Sequence, residues 1–337
     1  MDFSDVLKQR RDHLSSGSLK TYNSLLKSIY KACWGSTKEP DVKNFDKTEE
    51  VMKFLKDKSP SSRKTYLAAL VCICPDIDEY RTVMNKDMLD YKKEMDKQEM
   101  SEKQMEANIS SEEIKAIYDD LAKTASLLYK KTKLSTSDLQ QIQDFIIVAL
   151  VSGVHIVPRR SLDYVEMKVR DINKDEDNYI EKGKFIFHKF KTAKFHEGGQ
   201  SLDIPPVLKK ILIKWISIIP KDVNRLLFNS NFQPLSNVTL NQRLNRIFKG
   251  PISINQMRHT YLTEKYGAMM KQEKQMADEM EDMGSSIKQA KVYVKLNDPD
   301  LPQNKKIVYE EELEEPEEPI TKSKVKKGKA TKKSIEI

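Results

Sequence analysis

Cysteine is scarce in this chain of 337 residues. Cys33, Cys72 and Cys74 are too few and too irregularly spaced for a disulfide framework, and Cys72-Ile-Cys74 has no second ligand pair to make a zinc site. They are expected to be buried thiols in a reducing compartment. Long apolar runs are also missing: nothing approaches the roughly 20 residues that a membrane span needs. Met1-Asp-Phe-Ser-Asp opens without the apolar core of a signal peptide. These absences point to an intracellular, soluble protein that makes no call on a membrane, and no motif implies a metal or a cofactor.

What is present is charge. A third of the residues are charged, and basic ones exceed acidic ones to give a net +8. That balance leans towards nucleic acid, although basicity speaks to association rather than to fold. A hydrophobic content of 38% in a chain of this length supports two domains with real cores.

Along the first hundred residues the periodicity is helical. Leu19, Tyr22, Leu25, Leu26, Ile29, Tyr30 and Cys33 trace an amphipathic helix over 19–34, with Ser18 as its candidate cap. A shorter helix covers 51–56. Another starts at Ser59-Pro60, carries Arg63, Tyr66, Leu67 and Leu70, and ends at Pro75. From Asp76 a further helix runs into the polar stretch 87–107, whose charges on nearly every face suit an exposed linker. Lys20, Lys27, Arg63 and Lys64 fall on polar faces beside Tyr22 and Tyr66. Two readings are open for them: contacts to phosphates, or ordinary solvated faces.

A second domain opens at Ser110-Ser-Glu-Glu113, a capping-box start, followed by apolar helices over 114–128 and 139–152. After Gly153, Pro158 fits the first turn of a helix carrying Arg160 and Asp163. The texture then becomes extended at 167–172, 184–189 and 200–204, with polar linkers at 173–182 and 191–199, as in a small antiparallel sheet. Lys191 stands at the lip of the second turn. Helices resume from Pro205 or Pro206 to Pro220 and over 240–248, the latter with Arg243 and Arg246 exposed.

In the stretch 252–262, Ile254, Met257, Tyr261 and Leu262 recur near helical spacing and set Arg258 on or beside an apolar face. A forked, permanently charged guanidinium there suits either a bound phosphate or a buried carboxylate partner. Met276, Met280, Met283 and Ile287 form a core-facing stripe ahead of Tyr293. Beyond 297 an acidic run, 310–318, and a basic run, 322–333, read as a disordered tail. The basic run suits a nuclear address, a DNA tether or a solubilising tail.

In order, Arg160, Lys191, Arg258-His259 and Tyr293 make a set that resembles the tyrosine recombinase, or phage-type integrase, family. Arg160-Ser-Leu-Asp163 is similar to its Arg-x-x-Glu/Asp box, and Met257-Arg258-His259-Thr260 to its Leu-Arg-His-Thr box. Met283-Gly-Ser-Ser-Ile287 and Tyr293 are similar to its Leu-Gly-His-Ser-Ser-Ile segment and nucleophile. Pro158-Arg159 and Tyr164 resemble the variant found in large DNA viruses and eukaryotic mobile elements.

The resemblance implies a mainly α fold: a helical, SAM-like core-binding domain over 1–107, then a mixed α/β catalytic domain with a small antiparallel sheet over 108–297, then the tail 298–337. It implies cleavage and rejoining of double-stranded DNA through a 3′-phosphotyrosyl link, by a dimer or tetramer formed on the DNA. The setting would be a host nucleus or a cytoplasmic viral replication site. Arg160 and Arg258 would clamp the phosphate, Lys191 would protonate the leaving oxygen, Tyr293 would attack, and His259 would orient. Lys20, Lys27, Arg63, Lys64, Arg243 and Arg246 would hold the duplex. Two positions depart from the pattern: Asn255 stands where the family has histidine or lysine, and Gly284 or Ser285 where it has histidine or tryptophan. A non-catalytic DNA-binding protein of the same fold and a type IB topoisomerase-like enzyme are the competing readings.

Overall fold

The computed structural model describes residues 1–294, and these form a mainly α-helical protein with one four-stranded sheet. The acidic and basic runs and the whole of 298–337 lie outside the described residues. Among the described residues no helix is long and apolar enough to cross a membrane.

The first hydrophobic cluster is built by α1 (Ser4–Arg10), α2 (Ser16–Trp34), α3 (Thr48–Leu55), α4 (Pro60–Ile73) and α5 (Asp78–Asp96). Helix α1 has too few apolar residues to announce itself, yet Phe3 and Leu7 are buried. Each such side chain contributes about 1.5–3 kcal/mol when fully withdrawn from water. The cap of α2 is Ser15, which accepts from the Ser18 amide, so the cap lies three residues before the serine expected to fill it. Cys72 and Cys74 are buried and Cys33 half-buried, and burial pushes the Cys74 thiol up to about 11.

After the short α6 (Glu102–Glu106), Ser110 and Glu113 close the expected capping box on α7 (Ser111–Leu128). Helix α8 (Thr136–Val151) is the axle of the second cluster, with every residue from Ile142 to Val151 buried. Its one uncharged polar intruder, Gln143, is satisfied by the backbone of Phe228, donating at 2.8 Å and accepting at 2.9 Å. From the other side Trp215 of α10 (Pro206–Ile218) stacks on Phe228 and donates to the Leu226 carbonyl.

The sheet follows the short α9 (Ser161–Val165) and has the order β1 (Met167–Lys168), β2 (Asn178–Glu181), β3 (Lys184–Phe187), β4 (Gln200–Asp203). It departs from the expected antiparallel sheet in two ways. The stretch 173–182, expected as a polar linker, contains β2; only Tyr179 and Ile180 are apolar there, too short a run to declare a strand. In addition β1 pairs with β2 in parallel, because the intervening loop carries the chain back to the start of the strand, while β2, β3 and β4 are antiparallel. The β2–β3 turn is Lys182-Gly183, both at positive φ, as in a two-residue type I′ hairpin.

Asp177, just ahead of β2, is buried and takes Lys168 at 2.7 Å and Lys189 at 2.8 Å. Burial opposes its ionisation, but the hydrogen bonds from Lys168, Lys189 and the Asn173 amide outweigh burial and hold the carboxyl well below the usual range.

Helix α11 (Asn237–Phe248) then leads to α12 (Ile254–Asp282), and a second compact unit begins at Tyr266, within α12. In that unit Met276 and Met280 are half-buried and Met283 is 72% exposed, so the expected core-facing stripe is left largely open among the described residues. Tyr293 ends α13 (Ile287–Tyr293).

A carboxyl depressed by folding stabilises the fold fully above its unfolded pKa of about 4, and that stabilisation is lost as pH falls through the folded value. Asp177→Asn is therefore expected to lower stability by about 1–3 kcal/mol at neutral pH. In denaturant titrations at stepped pH, the gap from the parent protein should close from about pH 4 downwards. A gap that stays constant through the acid range would mean that the two lysine pairs do not stabilise the sheet.

Candidate functional site

Arg160 does not sit inside a helix, as expected, but caps the start of α9 in an extended conformation, with Pro158 buried outside the helix altogether. One turn of α9 brings Asp163 back beneath it, 3% exposed. Ninety-five residues later in sequence, Arg258 approaches the same carboxyl: Asp163 feels the positive charges of Arg159, Arg160 and Arg258 together. Burial pushes the Asp163 pKa up, and these three cations pull it the other way.

The three arginines are not equivalent. Arg159 is committed: its Nε donates to Asp163 Oδ2 at 2.6 Å, its Nη2 donates to Gln200 Oε1 at 3.1 Å, and its guanidinium lies 4.0 Å from the Phe187 ring centre. Arg160 and Arg258 are half-buried, and their side chains make no hydrogen bond or ion pair among the described residues. Asp163 Oδ1 is likewise buried without a hydrogen-bond partner among the described residues. Two guanidiniums with unused donors, held near one buried carboxylate, form a cationic seat for a further anion.

Arg258 is placed by the start of α12. Ile254, Gln256 and Met257 are buried, the Ile254 amide donates to Asn241 Oδ1, and Thr260 donates to the Ile109 carbonyl at 3.0 Å. Gly153, at φ +87°, packs against this helix so closely that a Cβ there would lie 2.6 Å from the Tyr261 ring. Leu262, expected inward with Met257, is instead 48% exposed. Asn255 and His259 are also exposed, and the His259 ring meets Gln104 of α6 at 3.4 Å.

Lys191 is exposed on the loop between β3 and β4, with no ion pair among the described residues. His196, further along the loop, lies 5.5 Å from the Phe190 ring and touches the Gln200 amide. Tyr293 belongs to the second unit and is 72% exposed. Gly284, at φ +66°, follows the end of α12.

Among the candidate duplex contacts, Lys20 is exposed, Lys27 lies 3.9 Å from Asp2, and Lys64 sits 3.3 Å above the Tyr91 ring. Arg63 is turned inward onto the fully buried Asp87 of α5, in a two-pronged pair. Arg243, expected exposed, is buried and bound to Asp144 and Gln140; with Leu240 and Leu244 it lies on the inward stripe of α11, at positions 0, 3 and 4. Arg246 stays at the surface, its side chain 67% exposed, and shares Asp144 at 3.1 Å. Reasoning from sequence passed over Arg159, Asn178 and Gln200. Only the doubled Pro-Arg-Arg signalled the first, and nothing local signals the other two.

No known family profile and no curated protein matches this chain. Among solved structures it is similar to a XerH site-specific recombinase bound to palindromic difH substrate in a post-cleavage complex, at 16% identity over 78% of this chain and 72% of that one, with a TM-score of 0.43. It is also similar to the pre-cleavage XerH complex with difH, at 16% identity over 79% and 75%, TM-score 0.44. A third is a lambda integrase dimer bound to a COC′ core site, at 17% identity over 79% and 90%, TM-score 0.41.

The committed and uncommitted arginines are separable by stability. Arg159→Ala leaves Asp163 buried without its ion pair and should lower unfolding free energy by about 3–5 kcal/mol. Arg160→Ala removes no hydrogen bond among the described residues and should change it by less than about 0.5 kcal/mol. Urea titration followed by far-ultraviolet circular dichroism reads both, and equal losses would overturn the distinction.

Proposed function

We propose that this chain is a site-specific DNA recombinase that cleaves and rejoins duplex DNA through a 3′-phosphotyrosyl intermediate. The observation that carries the reading is the pair Arg160 and Arg258, far apart in sequence, both acting on buried Asp163 and both with unused donors. The solved structures similar to this chain are recombinases on their DNA sites, and what supports the same role here is this arginine pair together with the order of Lys191 and Tyr293.

In the proposed step the exposed Tyr293 hydroxyl gives up its proton to solvent as its oxygen attacks a backbone phosphorus, and the phosphorus bond to the 5′ oxygen breaks. Lys191 delivers a proton to that oxygen, while the phosphate stays bonded to the tyrosine. The energy of the broken bond is kept in the new link, so rejoining by a 5′ hydroxyl needs no nucleotide. Arg160 and Arg258 hold the two non-bridging oxygens, where charge accumulates; each unit charge about 4 Å away is worth roughly 4 kcal/mol at an effective dielectric of 20.

Residues 1–107 serve as the core-binding domain and 108–297 as the catalytic domain, in keeping with two separate hydrophobic clusters. Lys20, Lys64 and Arg246 remain available as duplex contacts, and strand exchange takes place in a dimer or tetramer on the DNA. The Pro-Arg-Arg form of the first box favours a viral or mobile-element source, working in a host nucleus or at a cytoplasmic replication site. A second reading, a DNA-binding protein that has lost turnover, is favoured by one observation. Asn255 is exposed and cannot shuttle a proton at neutral pH, and no imidazole stands at 284 or 285.

The test uses nicked suicide duplexes drawn from the DNA flanking the protein's own gene. Denaturing gels should show a covalent protein–DNA adduct that disappears in Tyr293→Phe and falls roughly 10²- to 10³-fold in Arg160→Ala or Arg258→Ala. Tight, salt-sensitive binding without adduct on any duplex would establish the second reading instead.

A further inference from the structure

Asn178 is fully buried at the first position of β2, and its side-chain amide uses all of its hydrogen-bonding capacity. Nδ2 donates to the Asp163 carbonyl at 3.0 Å and to the Lys189 carbonyl at 2.8 Å. Oδ1 accepts from the His188 amide at 2.8 Å and from the Lys189 amide at 2.7 Å. One side chain therefore joins the turn of α9, three residues after Arg160, to the point where the chain leaves β3, two residues before Lys191. No other common side chain of this size offers two donors and two acceptors in one plane: aspartate lacks the donors and leucine lacks everything but the shape.

The opposite strand is fastened independently. Gln200, which opens β4 and pairs with Phe187 in register, accepts from Arg159 Nη2. Gly199 closes the loop at φ +78°, where a Cβ would lie 2.5 Å from the Phe187 carbonyl oxygen. Both ends of the loop that carries Lys191 are thus tied to the α9 segment, while Lys191 itself is exposed between them. A proton donor on such a loop works only if the base of the loop is fixed, since a misplacement of about 1 Å lowers rate by roughly 100-fold.

We propose that Asn178 is a positioning residue: its amide locks the hairpin that delivers Lys191 to the α9 segment that carries Arg160, so that proton donor and clamp address one phosphate in a fixed relation. The proposal rests on the reading of Lys191 as the acid for the leaving oxygen, and the two are tested separately. Suicide duplexes are made with the ordinary 5′ oxygen or with sulfur at that bridging position; on the sulfur duplex the phosphorus–sulfur bond breaks and a thiolate leaves without needing a proton.

Lys191→Ala should lose roughly 100-fold in adduct formation on oxygen and recover most of it on sulfur. Asn178→Asp, which keeps the shape and the acceptor but loses both donors, should do the same, and Arg160→Ala should lose on both duplexes. If Lys191→Ala does not recover on sulfur, the acid reading fails. If it recovers and Asn178→Asp does not, or if Asn178→Asp is fully active on oxygen, the positioning role is overturned.

Hydrogen exchange on the full chain tests the anchor without DNA and without a variant. The His188 and Lys189 amides should exchange at least about tenfold more slowly than the amides of 191–198. Exchange as fast as that of the loop tip would overturn the proposal whatever the duplexes show.

Discussion

One buried carboxylate, Asp163, organises the arginine cluster of this protein. Asp163 lies under the first turn of α9, where water cannot screen it, and three guanidiniums converge on its field from two distant parts of the chain. Burying a carboxylate is unfavourable unless opposite charge accompanies it, and the fold supplies more than one equivalent. Arg159 neutralises Asp163 by direct contact, which leaves Arg160 and Arg258 as cations in excess. The net positive seat follows from that arithmetic and depends on no ligand being present to assemble it.

The supports of the seat are drawn from the core. Helix α8 is buried along most of its length, and the segments that frame the arginines hang from it: Tyr164 donates to the Leu150 carbonyl, and Gly153 admits the Tyr261 ring against the end of the helix. The sheet is attached to the same framework through Asn178 and the Arg159–Gln200 contact. Packing, not local propensity, sets the direction of each charged side chain.

This division explains what could be read in the sequence. The longer helices announced themselves because period is local: the capping box at Ser110 and the apolar run of α8 stand where the pattern puts them, whereas α1 is too short and too polar to show a period. The placing of Arg258 beside buried Met257 and Ile254 on a helix was legible as well, because the apolar spacing around it is local. Strand β2 was not legible, since a four-residue strand with two apolar residues looks like a loop, and its parallel pairing with β1 is a tertiary outcome. The burial of Arg243 was misjudged because charge suggested solvent, whereas its place between Leu240 and Leu244 and a carboxylate 99 residues away decided otherwise. Asn178 was invisible for the same reason: its three partner residues, Asp163, His188 and Lys189, belong to other parts of the chain.

The exposure of the chemical groups has an evolutionary consequence. Asp163 and its partner Arg159 are tied into the core, and buried Ile254 and Met257 hold the helix that carries Arg258, so substitutions at these supports disturb folding. Lys191, Asn255 and Tyr293 stand at the surface, where a replacement leaves the packing intact. Selection for a folded chain therefore preserves the buried Asp163–Arg159 pair and the start of the helix that carries Arg258 by default, while the exposed side chains persist only as long as they are selected for themselves. A lineage with this architecture can therefore exchange Lys191, Asn255 or Tyr293 in a single step and keep its fold.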